Sequence, residues 1–269
     1  MADPLIPWRG DLAAKIQPQI PHAARIWNYW MGGKDNFEAD RTAGDAVAAV
    51  YPEIVTMAAQ SRKFLIRVVH HLAAETGIDQ FLDIGTGLPT MQNTHEVAQQ
   101  VMPHARIVYV DNDPMVLVHA RALLRNTTAQ GVTAYVDGDY HEPELIVEDA
   151  RNVLDFTRPI AVMFMGVLGY VEDFAVMRSI VSRVMDAVPS GSYLVLWDGT
   201  DTGETVNEGS EKLAESGAVP YYLRRLDQLA ECFADMELVE PGLVPITRWR
   251  PDTDDAPWID AHGAVARKS

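Results

Sequence analysis

Two apolar segments that each run into a polar turn constrain the fold of this chain more than any other feature. Residues 81–89 read FLDIGTGLP, and residues 107–114 read IVYVDNDP. A strand that ends in glycines lets backbone N–H groups approach a ligand without a Cβ in the way. Asp111 follows Gly87 at close to the roughly 20-residue offset at which a βαβ unit places a carboxylate against ribose hydroxyls. The pair therefore predicts a binding site for a nucleoside-containing cofactor.

The position of the third glycine in a dinucleotide-binding motif discriminates between cofactors. In this chain Thr90 occupies that position and Pro89 precedes it. A glycine there would let the helix pack closely beneath a pyrophosphate, so its absence disfavours a dinucleotide cofactor. Asp83 precedes the first glycine and suits a positive group, such as the amino group of S-adenosylmethionine, better than two phosphates. The residues favour S-adenosylmethionine over NAD. A strand, turn and helix that bind no ligand stay open as the alternative.

Net charge and cysteine content limit the classes of partner and the cellular compartment that we expect for this protein. The chain has 269 residues, and 38 acidic against 22 basic side chains give a formal net charge of −16, which repels phosphate backbones and anionic membranes. We therefore expect neither a nucleic-acid nor a membrane partner. The single cysteine, Cys232, excludes an internal disulfide and suits a reducing compartment. With no signal-peptide pattern at the N-terminus, this predicts a cytoplasmic protein.

Hydrophobic periodicity predicts an α/β fold in which one parallel, seven-stranded sheet carries helices on both faces. The predicted strands are 80–84, 106–110, 132–136, 160–165, 193–197, 237–239 and 243–249. The predicted helices are 37–50, 53–74, 90–100, 114–127, one that reaches 153, one that starts near 173, and 221–233. Ligands on such sheets bind at the carboxyl ends of the strands.

The segment 21–41 carries a more particular pattern, PHAARIWNYWMGGKDNFEADR, and Trp249-Arg250-Pro251 closes the patterned part of the chain. With these motifs the chain resembles the class I S-adenosylmethionine-dependent methyltransferases, and within them an actinobacterial group once catalogued as a domain of unknown function. The resemblance covers most of the chain and implies a Rossmann-like methyltransferase fold, whose sheet is mostly parallel and has an antiparallel last strand. It also implies that the aromatic arm before the first strand folds over the cofactor.

The resemblance assigns roles to individual residues. It implies that the glycine turn lines the methionine portion, that Asp111 holds the ribose, and that the turn after the third strand lies at the adenine. Met165 and Gly166 would pass under the cofactor, and the arm would add two contacts. The predicted cofactor-binding residues are Asp83, Gly85, Thr86, Gly87, Asp111, Asn112, Asp139, Tyr140, Met165, Gly166, Tyr29 and Gly33.

We expect three regions along the chain: an N-terminal arm with capping helices in 1–77, a Rossmann-like core in 78–250, and a loosely held tail in 251–269. Residues 199–219 are polar and contain glycine, which predicts a loop or short helix over the site. An aromatic arm could also pack across a dimer, and the oligomeric state stays open.

Methyl transfer needs positioning more than an obligatory catalytic side chain. Candidate general bases for a hydroxyl acceptor are His22, His141, Asp198 and Tyr170, and no acids or histidines have the spacing of a metal site. Strand four exits through residues 164–167, FMGV, which lack the loop expected of enzymes that methylate base amino groups. A neutral or cationic small molecule is the predicted acceptor. The alternatives are a binding protein without turnover and, less favoured, an NAD-dependent oxidoreductase.

Overall fold

A computed structural model describes residues 16–89, 92–123, 125–253 and 255–269. Thr90, where the sequence departs from the dinucleotide motif, and the first part of the predicted arm, residues 1–15, lie outside these ranges. The helices of the described residues are α1 (Ala23–Trp30), α2 (Glu38–Val50), α3 (Glu53–Ala74), α4 (Thr94–Val101), α5 (Pro114–Leu123), α6 (Pro143–Ala150), α7 (Phe174–Ala187), α8 (Glu204–Glu215) and α9 (Leu226–Glu231).

One mixed sheet organises the molecule. Its strands are β1 (Gln80–Ile84), β2 (Arg106–Asp111), β3 (Val132–Asp137), β4 (Ala161–Met165), β5 (Tyr193–Gly199), β6 (Met236–Leu238), β7 (Val244–Pro245) and β8 (Ala261–Lys268). They follow the order β3-β2-β1-β4-β5-β8-β6, with β7 paired to β8. The strands β1 to β5 are parallel to one another, and β8 is antiparallel to β5. The predicted α/β class, mostly parallel sheet and antiparallel last strand are confirmed, whereas the sheet formed by the described residues has eight strands rather than the predicted seven.

The last strand comes from a part of the chain where we expected none. The prediction of a loosely held tail after residue 250 is wrong, because residues 261–266 are buried within the sheet as part of β8. The strand predicted over 243–249 shrinks to the two residues of β7. A Cβ on Gly263 would lie 2.5 Å from the Cβ of Trp197, so β8 needs a small residue beside that indole. Because β8 consists largely of small residues, its sequence lacks the alternation of large apolar and polar residues by which a strand is predicted.

Alternate side chains of each strand enter two separate cores. Phe81 and Ile107 face the core that also contains α1, α2 and α3, whereas Leu82 and Val108 face the core under α6 and α7. The N-terminal helices therefore cover one face of the sheet. Helix α8, in the segment predicted as a loop or short helix, packs on α2, where a Cβ on Gly209 would lie 3.0 Å from the side chain of Tyr51.

A buried carboxylate ties the arm together. Asp40 is fully buried and accepts hydrogen bonds from the backbone N–H of His22 at 2.9 Å and of Phe37 at 2.8 Å. The Arg25 guanidinium pairs with the same carboxylate at 3.0 Å. A buried charge is stable when its pairing and hydrogen bonds are complete, as they are here. Asp40 thereby fixes the start of α1 relative to α2.

Candidate functional site

A cavity of about 280 Å³ opens at the carboxyl ends of β1, β2 and β4. Strand order places these ends side by side, which is where ligands bind on parallel sheets. All but three of the predicted cofactor-binding residues line it. Those that do are Asp83, Gly85, Thr86, Gly87, Asp111, Asn112, Tyr140, Met165 and Gly166.

The glycine turn after β1 uses backbone angles that other residues avoid. Gly85 has φ +73° and Gly87 has φ +64°. The N–H of Gly85 donates to the carbonyl of Val110 at 2.8 Å, and the N–H of Gly87 donates to Oδ2 of Asp111 at 2.8 Å. The turn is thus joined to the end of β2, so the two halves of the predicted cofactor motif form one unit.

Two carboxylates lie within this unit, of which Asp83 is buried and Asp111 is half-buried. Burial raises the pKa of Asp111 to about 6, against the lowering effect of hydrogen bonds from the N–H groups of Asp113 and Gly87. Burial likewise raises the pKa of Asp83 to about 6, although the Thr94 hydroxyl donates to its Oδ2 at 2.7 Å. Carboxylates held out of water gain most from a cationic or hydroxyl-bearing ligand. We call Asp83, the turn 85–87 and Asp111 the acidic edge of the cavity.

Three predicted site residues lie off the cavity. The hydroxyl of Tyr29 donates to Oδ1 of Asp45 at 2.6 Å on the outside of the arm. Asp139 is 43% exposed and accepts a hydrogen bond from the N–H of His141 at 2.9 Å. Gly33 lies against Asn28, and a Cβ there would be 2.4 Å from its Oδ1. Gly33 therefore shapes the site indirectly, since Asn28 does line the cavity.

Several lining residues were missed because they come from helices packed over the sheet. Trp27 of helix α1 and Met31, which directly follows that helix, line the cavity, and helix α3 contributes Ser61, Arg62 and Leu65. The i, i+4 spacing of the first pair and the i, i+3 spacing of Arg62 and Leu65 indicate shared helix faces. Spacing alone did not indicate that those faces turn toward the cavity.

His22, one of the candidate bases, is held by an acid of the neighbouring loop. Its Nδ1 lies 2.6 Å from Oδ2 of Asp113. Burial would raise the pKa of Asp113, but the hydrogen bond and charge of His22 bring it below its usual value. The N–H of Asp113 in turn donates to Oδ1 of Asp111 at 2.9 Å. The start of α1 is therefore connected to the acidic edge through two acids.

An apolar wall bounds another part of the cavity. It consists of Trp27, Met31, Met165, Tyr170, Trp197 and Val219. The rings of Trp27 and Trp197 lie 6.0 Å apart, so the arm and the end of β5 meet there. Tyr170 packs edge-on against Tyr221 with ring centroids 4.9 Å apart. Burial, then the charges of Asp198 and Tyr140, raise the pKa of Tyr170 above its usual value, which keeps its phenol protonated.

The other candidate bases do not reach the cavity. Asp198 is fully buried behind this wall and accepts hydrogen bonds from the hydroxyl of Tyr221 and the N–H of Gly199. Burial raises its pKa to about 8. His141 is half-exposed and pairs with Asp139 outside the cavity. Within the described ranges, no group of three His, Cys, Asp or Glu side chains could hold a metal ion.

The side chains present fit S-adenosylmethionine chemically. That molecule carries an ammonium group, ribose hydroxyls and a sulfonium, all of which favour carboxylates and aromatic faces. The cavity provides one buried and one half-buried carboxylate, a glycine turn with little side-chain bulk and a wall rich in aromatic rings. A Rossmann-like sheet with such a site defines the class I methyltransferases that use S-adenosylmethionine.

Comparison with known proteins agrees with this class. The chain belongs to the S-adenosyl methyltransferase family, whose model matches residues 9–269. The crystal structure of a DUF574-family protein from Streptomyces avermitilis is 41% identical, with a TM-score of 0.90 over 94% of this chain and 99% of that one. A putative methyltransferase from Thermobifida fusca is 40% identical, with a TM-score of 0.85 over 93% and 96% of the two chains.

A more distant structure shows the same fold. An S-adenosylmethionine-dependent methyltransferase from Anabaena variabilis is 14% identical, with a TM-score of 0.50 over 94% of this chain and 99% of that one. No curated protein matches the sequence. The predictions of a methyltransferase and of S-adenosylmethionine as its cofactor are confirmed at the level of the family. In the part of the chain that the structure describes, no helix is long and apolar enough to cross a membrane.

Proposed function

We propose that this protein transfers the methyl group of S-adenosylmethionine to a small, neutral or cationic organic acceptor that carries an aromatic or other apolar ring. One observation carries the proposal: a single cavity joins an acidic edge suited to the cofactor with an apolar wall suited to such a molecule. The acceptor would be held against the wall, close to the bound cofactor.

The acidic edge supports a specific assignment of cofactor contacts. Asp83 would hold the amino group, and the turn 85–87 would pass close to the methionine portion. Asp111 would hold the ribose hydroxyls, because each of its oxygens already accepts one backbone N–H and keeps a further lone pair. Residues 138–140 would border the adenine, with Gly138 and Tyr140 on the cavity surface. Met165 and Gly166 would pass beneath the cofactor.

When bound, S-adenosylmethionine supplies a methyl carbon already activated toward displacement by the sulfonium. The chain's own residues would then act by orienting the acceptor and excluding water. The wall is apolar, and the protonated hydroxyl of Tyr170 can donate a hydrogen bond to an acceptor oxygen or nitrogen. Since its pKa is raised by burial, Tyr170 serves as a donor rather than as a base.

The charge of the protein supports the acceptor class. A net charge of −16 disfavours phosphorylated polymers, and the two carboxylates of the acidic edge disfavour small anions. A cavity of about 280 Å³ lies near the lower end of the range of small-molecule sites, about 300–1,000 Å³.

Trp27 and Trp30 pack against each other within one chain, with ring centroids 5.7 Å apart, so these rings lend no support to a dimer through the arm.

The proposal extends to the source and location of the protein. The two relatives at about 40% identity come from Streptomyces and Thermobifida, which supports an actinobacterial origin. Cys232 is a buried free thiol, which suits the reducing cytoplasm.

The test uses S-adenosylmethionine with a labelled methyl group. The purified protein is incubated separately with the small-molecule, protein and nucleic-acid fractions of an actinobacterial extract. The label transferred to other compounds is then counted in each fraction, after the unreacted S-adenosylmethionine has been removed. We expect label in the small-molecule fraction, most of it in neutral or cationic aromatic compounds. An Asp111→Ala variant is the control for dependence on this cavity. Label confined to protein or nucleic acid would contradict the proposal.

A further inference from the structure

Arg62 is a charged side chain on the cavity surface that the assignments above do not use. It lies in α3, lines the cavity and is half-buried. It forms no hydrogen bond or ion pair with any residue in the described ranges. A partly desolvated guanidinium with five N–H donors and no partner is costly in a folded protein.

The other arginines withdrawn from solvent show what is usual in this chain. Arg25 pairs with Asp40 at 3.0 Å. Arg67 donates to the carbonyls of Trp249 at 2.9 Å and Ile246 at 2.6 Å. Arg224 donates to the carbonyl of Glu172 at 3.2 Å. Arg62 is the exception among these, and it is the one that faces the cavity.

The charges around Arg62 indicate what kind of ligand group it could bind. Burial lowers its pKa, and the negative charges of Asp83 and Glu96, together with Tyr109, act in the opposite direction. Asp83 is thus an electrostatic neighbour, but its carboxylate bonds to Thr94 and forms no ion pair with Arg62. The cavity therefore presents a carboxylate and a guanidinium that interact electrostatically but form no ion pair with each other. A ligand that carries both an ammonium and a carboxylate complements such a pair.

We propose that Arg62 binds the carboxylate of the methionine portion of S-adenosylmethionine, while Asp83 binds the amino group. The inference rests on the proposed cofactor assignment of Asp83. It makes Arg62 the residue that distinguishes the intact cofactor from analogues that lack the carboxylate. A planar guanidinium suits this task because it can bind a carboxylate through two parallel hydrogen bonds.

The test is isothermal titration of the purified full chain with S-adenosylmethionine and with its decarboxylated analogue. Wild type should bind the intact cofactor more tightly than the analogue. The Arg62→Met variant should lose roughly 10- to 100-fold in affinity for the intact cofactor, the range expected for a charged hydrogen-bonded contact. Its affinity for the analogue should stay the same or rise, which also shows that the variant is folded.

Two further variants separate a contact from a general charge effect. Lys63→Met removes an exposed cation from the adjacent position of α3 and should leave both affinities nearly unchanged. Arg62→Lys keeps the charge but loses the planar fork, so it should recover only part of the discrimination. Equal losses for both ligands in Arg62→Met, or no loss, would overturn the inference. Failure of wild type to bind either S-adenosylmethionine or S-adenosylhomocysteine would instead contradict the proposed function.

Discussion

The acidic edge and the apolar wall of the same cavity are built in opposite ways. The acidic edge comes from two short stretches of sequence that are hydrogen-bonded to each other: the N–H of Gly85 donates to the carbonyl of Val110, and the N–H of Gly87 donates to the carboxylate of Asp111. The apolar wall collects side chains from the arm, from the ends of β4 and β5, and from the segment after α8. One is held by local hydrogen bonds and the other by the packing of distant elements.

The difference teaches where specificity can change within the fold. Backbone hydrogen bonds and glycine angles leave the acidic edge little freedom, so it suits a fixed ligand such as the cofactor. Wall side chains such as Trp27 and Trp197 belong to different elements, so each can be exchanged without disturbing the glycine turn. We therefore expect substitutions at the edge to affect stability and cofactor affinity, and substitutions at the wall to affect the acceptor.

The largest effect is expected where the acidic edge packs against the segment that follows β4. A Cβ on Gly85 would lie 2.3 Å from Cγ2 of Val167, which follows β4, and the φ of +73° is itself unfavourable for alanine. Gly85→Ala should lower the free energy of unfolding by about 2–5 kcal/mol. Gly87→Ala meets only the unfavourable φ, because no atom lies within 4 Å of its Cβ position, and should lose about 1–2 kcal/mol.

Urea denaturation of both variants checks this ranking. Adding Val167→Ala to Gly85→Ala should restore part of the lost stability, because it removes Cγ1 and Cγ2 of Val167, two of the three nearest atoms that a Cβ at residue 85 would meet. Equal losses in the two single variants would show that Gly85 is not tightly packed against Val167.

The next effect concerns the buried charge of the edge. The pKa of Asp83 is raised from 3.8 to about 6, with burial as the main cause. The folded protein therefore holds this proton more tightly than the unfolded chain, and the stability of the wild type should fall as the pH rises from about 4 to 6. Asp83→Asn lacks this titration. Its stability relative to wild type should increase by about 2–3 kcal/mol across that interval and then level off.

Unfolding at pH 4 and at pH 7.5, without cofactor, measures the change. A difference between Asp83→Asn and wild type that is the same at both pH values would mean that the carboxylate is not destabilised by its burial.

A smaller effect on binding is expected at Asp111. Asp111→Ala should weaken S-adenosylmethionine binding by about 1–3 kcal/mol through loss of charged hydrogen bonds to the ribose. Asp137→Ala is the matched control, since Asp137 is its exposed register partner at the end of β3 and does not line the cavity. Titration calorimetry compares the two. Equal affinity in a folded Asp111→Ala variant would remove the ribose assignment.

The smallest effect is expected at the wall. Tyr170→Phe should lower kcat/KM for the acceptor by roughly 3- to 10-fold, the effect of one neutral hydrogen bond, and leave cofactor affinity unchanged. Tyr29→Phe is the control, because the Tyr29 hydroxyl bonds to Asp45 outside the cavity. A loss of cofactor affinity in Tyr170→Phe would show that the wall and the edge do not have separate roles.

The same contrast explains what the sequence could predict. Asp83, the glycine turn and Asp111 form a local pattern, so both the strand–turn–helix and the placement of these residues at the cavity followed from it. Arg62 and Trp27 depend on how α3 and α1 pack over the sheet, which no local pattern specifies. The aromatic character of the arm predicted a cofactor contact for Tyr29. Tyr29 lies two positions after Trp27 in α1, so its side chain projects from a different side of the helix and bonds to Asp45 outside the cavity. Strand β8 was not predicted because it consists largely of small residues, one of which, Gly263, lies against Trp197.

The central claim is that the acidic edge binds the cofactor, and a crystal structure with S-adenosylhomocysteine tests it most directly. We predict that the ribose hydroxyls lie within hydrogen-bond distance of Asp111, and that the amino-acid end lies between Asp83 and Arg62. A ligand bound elsewhere, or a ribose away from Asp111, would contradict the account.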